Sequence, residues 1–81
     1  MEDMRALFAK NLRRLRNAKG LSQEEVADRA AINRGYMSDL ENGRYSATVI
    51  VIGKLAEALG VEPAELLMRD RAAPKSGRTR G

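Results

Sequence analysis

Four neighbouring residues carry the small or polar groups that a helix needs in order to touch the edges of base pairs. On a helix that turns about 100° per residue, Arg34, Gly35, Ser38 and Asp39 lie within a sector of about 140°. A major groove about 12 Å wide admits a helix only where the leading face lacks bulky apolar side chains and offers hydrogen-bonding groups. These four residues meet that condition, so the pattern predicts that they contact bases.

The sequence lacks the side chains of the common catalytic and metal sites. It has neither cysteine nor histidine, which excludes disulfides, catalysis by either residue, and zinc sites built from those ligands. The adjacent carboxylates of Glu24 and Glu25 point about 100° apart on a helix, and Glu25 is already used in a helix cap. We therefore expect neither an enzyme nor a bound metal or cofactor.

Five helices are expected to position the polar face, within a single all-α domain. A chain of 81 residues has core enough for only one packed unit. The predicted helices run from near 3 to a stop at Gly20, from 23 to about 30, from 34 to the Asn-Gly pair at 42 and 43, from 49 to a stop at Gly60, and onwards from Pro63. The inward residues expected on the last two helices are Val49, Ile52, Leu55, Ala56 and Leu59, then Leu66 and Leu67.

Local capping signals fix the start of the central helices. Ser22 and Glu25 have the spacing of a capping box, and Asn33 and Thr48 are favoured N-cap residues. The second and third helices are separated only by residues 31–33, so they form a helix-turn-helix in which the later helix can lie in a major groove.

The net charge of +4 is concentrated at the end of the chain. Residues 69–81 contain five basic residues and one acidic residue, with glycine, proline and serine among them. The expected division is therefore a DNA-binding domain over 1–68 and a disordered basic tail over 69–81. The tail either grips a nucleic-acid backbone or is simply solvated. With no cysteine, no signal peptide and no apolar run long enough to span a membrane, the chain is expected to be cytoplasmic with no membrane partner.

Several blocks of the sequence, at matching spacing, resemble one family. From about Leu12 to Leu67 the chain is similar to the XRE family of helix-turn-helix regulators, related to phage Cro and CI-type repressors. The blocks that carry the resemblance are LRRLR at 12–16, GLSQEEVA at 20–27, RGYMSDLENGR at 34–44 and KLAEALGV at 54–61. The resemblance implies a compact five-helix, lambda-repressor-like fold whose partner is double-stranded DNA. Residues 46–49 also resemble the controller proteins of restriction-modification systems.

The family pattern also implies roles for individual residues. Arg34 would be the main base reader, because a guanidinium can bond both guanine acceptors in the major groove. Ser38 would meet a base or a phosphate, and Gln23 a phosphate at the start of the second helix. Arg16 would pair with Glu41, and its angular position at the margin of the buried stripe supports that role independently. The residues expected to contact the DNA backbone are Tyr36, Asn42, Arg44, Tyr45 and Ser46.

Some positions depart from the family pattern. Ala31 stands where glycine is frequent, so it either adopts a positive φ at a cost of roughly 1 kcal/mol or the turn is rearranged. Gly35 offers no side chain, which leaves more of the base reading to Arg34. Asp39 accepts from a cytosine amino group, disfavours non-cognate DNA, or lies out of reach. The cationic side chains on the outer face of the first helix, Arg13, Arg14 and Lys19, are either phosphate contacts or solvated surface.

An exposed apolar residue suggests self-association. Ile50 lies opposite the buried stripe of the fourth helix and, with Leu67 or Met68, is expected to form a patch at a two-fold axis. The predicted function is a homodimeric repressor or autoregulator that reads an inverted repeat with half-sites about 34 Å apart. The alternative is an antitoxin-like protein-interaction module in which DNA binding is secondary.

Overall fold

The computed structural model describes residues 3–69, which contain four α-helices and one short 3-10 helix. The α-helices are α1 (Met4–Ala18), α2 (Gln23–Ala30), α3 (Arg34–Glu41) and α4 (Val49–Leu59), and the 3-10 helix is Pro63–Leu66. The all-α class is confirmed, and this part of the chain contains no strand. The predicted fifth helix is therefore only a 3-10 turn. Apart from Arg69, the predicted tail at 69–81 lies outside the described residues, so the domain boundary stays a prediction.

Each α-helix begins at a polar residue whose side chain accepts a backbone N–H. These N-caps are Asp3, Ser22, Asn33 and Thr48. The capping box at α2 is reciprocal: Ser22 Oγ accepts from the Glu25 amide at 3.0 Å, and Glu25 Oε1 accepts from the Ser22 amide at 2.8 Å. The bonds with Ser22 lower the pKa of Glu25. The predicted starts of α2, α3 and α4 agree with the structure because these caps act within three residues.

The turn between α2 and α3 keeps its left-handed geometry without a glycine. Ala31 has φ +56°, and it is the only residue other than glycine with a positive φ among residues 3–69. Its own amide donates to Asp28 O, and the Ile32 amide donates to Ala27 O at 2.9 Å, so the carbonyls at the end of α2 are satisfied. The turn is thus not rearranged, and Ala31 carries the strain that a Cβ has in this region.

The core is built from the apolar faces of all five elements. α2 packs against α4, α3 packs against α1 and α2, and the 3-10 helix closes the other side against α4 and α1. The large side chains that fill the centre are Phe8, Leu12, Leu15, Val26, Met37, Leu40, Leu55, Leu59 and Leu66. This packing buries one side of α3 and leaves its other side toward solvent.

Two residues expected inside are on the surface. Val49 is 83% exposed because it is the first residue of α4 and lies beyond the edge of the core, although its angle on the helix is correct. Leu67 is 40% exposed because the segment ends in a 3-10 turn. Such a turn has three residues per revolution, so Leu67 points well away from its buried neighbour Leu66. The partly buried Ile52 lies at the margin of the core.

A buried asparagine joins the first helix to the end of the described chain. The Asn11 side chain is inaccessible to solvent, and its Nδ2 donates to Leu66 O at 3.0 Å and to Met68 O at 2.8 Å. Its Oδ1 accepts from Arg14 Nη2 at 3.2 Å. Asn11 thereby satisfies the buried carbonyl of Leu66, and its own buried amide has partners for both its nitrogen and its oxygen.

Replacing Ala31 with glycine is expected to stabilise the protein, because glycine adopts this φ without the Cβ clash. The free energy of unfolding should rise by about 1 kcal/mol, measured by urea denaturation with circular dichroism. Ala6→Gly, on an exposed turn of α1, is the matched control and should lower the free energy of unfolding by up to about 1 kcal/mol. A loss of stability in Ala31→Gly would contradict the assignment of strain to this turn.

Candidate nucleic-acid interface

The solvent side of α3 begins with two freely exposed positions. Arg34 and Gly35 are exposed, whereas Met37 and Leu40 on the opposite side are fully buried. Within residues 3–69 the Arg34 side chain makes no hydrogen bond and no ion pair. Ser38 is one turn further on and is half-buried. The structure therefore presents a guanidinium, a bare stretch of backbone and a hydroxyl along one edge of the helix.

Gly35 fits closely against the cap of its own helix. Asn33 Oδ1 accepts from the Gly35 amide at 2.7 Å and from the Tyr36 amide at 3.2 Å. A Cβ at position 35 would lie 3.0 Å from that same oxygen, which is closer than ordinary contact. A side chain at position 35 would thus crowd the cap, and its absence leaves the exposed surface beside Arg34 without a projecting group.

The acidic residue on this side of the helix is paired with an arginine of the following loop. Asp39 Oδ1 lies 3.5 Å from Arg44 Nη1, and the Arg44 amide donates to Asp39 O at 3.0 Å. Arg44 remains largely exposed, so the pair contributes at most about 1 kcal/mol to folding. Asp39 therefore holds Arg44 at the edge of α3, an arrangement that depends on the fold of the loop and that sequence reasoning did not foresee.

The predicted backbone contacts gather at the end of α3 and in the loop after it. The Asn42 amide closes the helix by donating to Ser38 O at 3.0 Å, and its side chain is exposed. The rings of Tyr36 and Tyr45 lie 6.5 Å apart at an angle of 40°, which packs the loop against the helix. Tyr45 and Ser46 are both exposed. The structure brings these residues to one surface; their contact with DNA stays a prediction.

A buried carboxylate ties the three helices around this surface together. The Glu41 side chain is fully buried at the end of α3, and Arg16 of α1 donates to both of its oxygens, at 2.5 and 3.0 Å. Gln23 of α2 donates its amide to Glu41 Oε1 at 2.9 Å. Arg13 brings a second cation to Glu41, with its Nε 3.5 Å from Oε1. Arg16 also donates to Leu21 O at 2.8 Å, which joins the cluster to the loop before α2.

The pairing keeps Glu41 ionised. Burial alone raises the pKa of Glu41, but the hydrogen bonds from Arg16 and Gln23 and the charges of Arg16 and Arg13 outweigh it, so that the pKa is lowered overall. The hydrogen bond with Glu41 also raises the pKa of Arg16. The cluster is therefore charged throughout the physiological pH range.

Gln23 has a structural contact that the sequence analysis did not include. Its side-chain amide donates to Glu41. The backbone N–H of Gln23 has no acceptor within residues 3–69. A phosphate at the start of α2 would therefore have to share the side-chain amide with Glu41 or bind this backbone N–H. Arg13 was also missed as a partner of Glu41. Its position three residues before Arg16, on the same face of α1, was the available signal.

Removing the charge of Glu41 is expected to destabilise the fold, because Arg16 is left without its partner. Glu41→Gln should lower the free energy of unfolding at neutral pH by about 3 kcal/mol, measured by urea denaturation. The exposed Glu57→Gln is the matched control and should change it by less than about 0.5 kcal/mol. Equal effects of the two substitutions would show that the cluster does not hold the helices.

The same carboxylate predicts a pH dependence. Because the pKa of Glu41 is lower in the folded protein than its ordinary value of 4.5, ionised Glu41 stabilises the fold above that value. This contribution is lost as the pH falls through the folded-state pKa. The difference in unfolding free energy between the native protein and Glu41→Gln should therefore shrink between about pH 6 and pH 3. A difference that stays constant over this range would contradict the lowered pKa.

Over residues 3–69 no helix is long and apolar enough to cross a membrane. In the same part of the chain no group of three or more carboxylates, cysteines or histidines is placed to hold a metal ion.

Comparison with known proteins places the chain in a family. The helix-turn-helix family HTH_3 matches residues 12–66. An uncharacterised HTH-type transcriptional regulator, y4dJ of Sinorhizobium fredii, is 51% identical over 65 residues, which are 80% of this chain and 84% of that protein.

Two solved structures share the fold. The restriction-modification controller protein C.AhdI of Aeromonas hydrophila matches with a TM-score of 0.75 and 44% identity, over 76% of this chain and 94% of that one. The hypothetical transcription factor NHTF of Neisseria matches with a TM-score of 0.82 and 40% identity, over 86% and 80% of the two chains. The family consists of DNA-binding regulators and is not an enzyme family. The chain belongs to the XRE-type helix-turn-helix family HTH_3 and is a DNA-binding transcriptional regulator.

Proposed function

We propose that the protein is a dimeric repressor or autoregulator that reads an inverted repeat by placing α3 in the major groove of double-stranded DNA. The observation that carries the proposal is that the exposed Arg34 side chain has no hydrogen bond or ion pair within residues 3–69. Other arginines have partners within residues 3–69, among them Arg5, Arg13, Arg14, Arg16 and Arg44. Arg34 stands at the start of the recognition helix with all its donors unused, so it can bond guanine O6 and N7 without breaking a contact.

The neighbours of Arg34 supply the remaining base contacts in this proposal. Gly35 and the Asn33 cap leave a flat surface that lets the backbone of α3 approach the groove closely. Ser38, one turn along the helix, offers a hydroxyl to a base or a phosphate. Asp39, which shares its carboxylate with Arg44, disfavours DNA that does not offer it a cytosine amino group.

Affinity is proposed to come from phosphate contacts on both sides of α3. On one side the free backbone N–H groups at the start of α2, at Gln23, favour an anion together with the helix dipole. On the other side is the surface of exposed side chains at the end of α3 and in the loop. These are Tyr36, Asn42, Arg44, Tyr45 and Ser46. Contacts of this kind release counterions, so binding is expected to weaken steeply as the salt concentration rises.

The second copy is proposed to dock on exposed apolar residues near the ends of α4 and the 3-10 helix. Ile50 is 69% exposed, Leu67 40% and Met68 42%. Leu67 also lines a small cleft of about 90 Å³ together with Met4, Phe8 and Ile52, which gives an apolar side chain from another copy a place to enter. The similarity to the restriction-modification controller protein C.AhdI supports a regulatory role of this kind.

Arg34→Ala is expected to lower the affinity for the cognate site by about 1 to 3 kcal/mol, which is roughly 5- to 150-fold, while non-specific binding changes little. The cognate site is first recovered by enrichment of random duplex DNA with the purified protein. Affinity is then measured by fluorescence anisotropy on cognate and scrambled duplexes. Arg29→Ala, which removes an exposed arginine of α2, is the control and should keep the preference for the cognate site.

Two results would count against this function. If Arg34→Ala leaves cognate and scrambled duplexes unchanged, Arg34 is not the base reader. If the native protein enriches no sequence at all, the antitoxin-like alternative, in which a protein partner is the main ligand, is favoured instead.

Ile50→Glu is expected to shift the protein toward monomer and to weaken binding to a two-half-site duplex, because it places a charge in an apolar interface. Sedimentation at micromolar concentration checks the first effect. Ala18→Glu is the matched control, because it adds the same charge at an exposed position of α1. Ala18 lies about 21 Å along the helix from Met4, which lines the cleft at the proposed interface, so association should be unchanged. A native protein that sediments as a monomer at this concentration would remove the dimer from the proposal.

A further inference from the structure

An open cleft with a basic wall lies between the outer face of α1 and the end of α3. Its volume is about 460 Å³, within the range of small-molecule sites. Lys10, Arg13, Arg14 and Asn17 of α1 line one wall, and Asn42 lies on the other. We call this the α1–α3 cleft. No role in base reading or self-association uses it.

The charge in the α1–α3 cleft is one-sided. Lys10, Arg13 and Arg14 bring three cations to it, and the only carboxylate in the lining, Glu41, is buried and already paired with Arg16 and, at 3.5 Å, with Arg13. The low accessibility of Glu41 and its pairing leave the positive side chains facing the open space. An anion entering the cleft would meet no free negative charge among the residues that line it.

Each of the two arginines of the cleft makes its contacts through only part of its guanidinium group. Arg13 Nη2 donates to Glu41 O at 3.3 Å, and Arg14 Nη2 donates to Asn11 Oδ1 at 3.2 Å. A guanidinium has five N–H donors, so donors remain on each for a further acceptor. Lys10 makes no hydrogen bond or ion pair within residues 3–69. Arginines fixed in this way lose less side-chain entropy when they bind an oxyanion.

We propose that the α1–α3 cleft binds a phosphate group. Several N–H donors from two arginines, a lysine ammonium and two side-chain amides match the many acceptor oxygens of a phosphate or pyrophosphate. Ala6 and Ala9 leave room beside these groups because their side chains are small.

The phosphate has two possible sources with the same chemistry. One source is the DNA backbone beyond the half-site. With Arg34 set at 0° around the axis of α3, Asn42 lies at about 80°, between Ser38 and Gly35. The cleft therefore lies at the far end of the same side of α3 that is proposed to face the DNA. The other is a free phosphorylated small molecule. The first source rests on the proposed function, whereas the second does not.

Inorganic pyrophosphate is the probe for the cleft itself. Titration into the native protein, followed by amide chemical shifts, should perturb residues 10, 13, 14, 17 and 42. The perturbations should be lost in the double variant Lys10→Gln/Arg14→Gln. The control Arg29→Gln/Lys54→Gln removes the same charge from exposed positions of α2 and α4 and should retain them. If the double variant fails to fold by circular dichroism, Lys10→Gln alone replaces it, because Lys10 has no structural contact.

DNA binding distinguishes the two sources. Affinity for a duplex that extends beyond the recovered site is measured at several salt concentrations. If the cleft holds a backbone phosphate, the cleft variant should lose about one unit of the slope of log K against log salt, relative to the charge-matched control. A pyrophosphate response with an unchanged slope assigns the cleft to a free phosphorylated ligand.

Failure of the cleft and failure of the proposed function give different results. With no cleft-specific pyrophosphate response and no cleft-specific change of slope, the phosphate site is overturned even if Arg34→Ala abolishes specific binding. A pyrophosphate response in a protein that shows no specific DNA binding would keep the phosphate site and remove the proposed function.

Discussion

The geometry of the helix-turn-helix depends on one buried negative charge. Glu41 lies at the last residue of α3 and receives hydrogen bonds from α1 and α2 through Arg16 and Gln23. A buried carboxylate costs several kcal/mol unless it is paired and hydrogen-bonded, so α3 is stable only in the orientation that brings Glu41 to both partners. That orientation also puts Met37 and Leu40 into the core. The exposed position of Arg34 at the other end of the helix is the result.

Where the sequence predicted structure well, the cause is local. The starts of α2, α3 and α4 depend on side chains that bond amides two or three residues away, and Ser22, Asn33 and Thr48 identify themselves by type and spacing. The left-handed Ala31 was one of two alternatives, and that expectation came from the family resemblance, because Ala31 stands where the family frequently has glycine. The angular position of Arg16 indicated a residue at the margin of the core, where it is found.

Where the sequence predicted poorly, the cause is distance along the chain. Helical periodicity gives the side on which a residue lies but not where the core ends, which is why Val49 was placed inside. Asn11 lies within the apolar stripe of α1, at about 300° when Phe8 is set at 0°, and this was the available signal of a buried polar residue. Its partners are 55 and 57 residues away and belong to a turn that the sequence pattern describes only as a helix.

The same contrast holds for the interface. The exposed face of α3 follows from its period, so Arg34 and Gly35 were placed correctly on the surface. The pairing of Asp39 with Arg44, and that of Gln23 with Glu41, depend on how the loop and α2 fold back on α3. These contacts give the two residues structural roles. Asp39 orients Arg44 of the loop, and Gln23 belongs to the cluster around Glu41 as well as to the start of α2.

In the proposed dimer, the bonds of Asn11 would affect how two copies associate. By fastening the carbonyls of Leu66 and Met68 to the first helix, this amide fixes the course of the backbone on either side of Leu67 while the protein is still alone. Because residues 66–68 are already ordered in the monomer, they lose little conformational entropy on association, so even a small contact area can give a useful affinity. The affinity between the two copies would then depend on Asn11 inside each monomer as much as on the residues at the surface of contact.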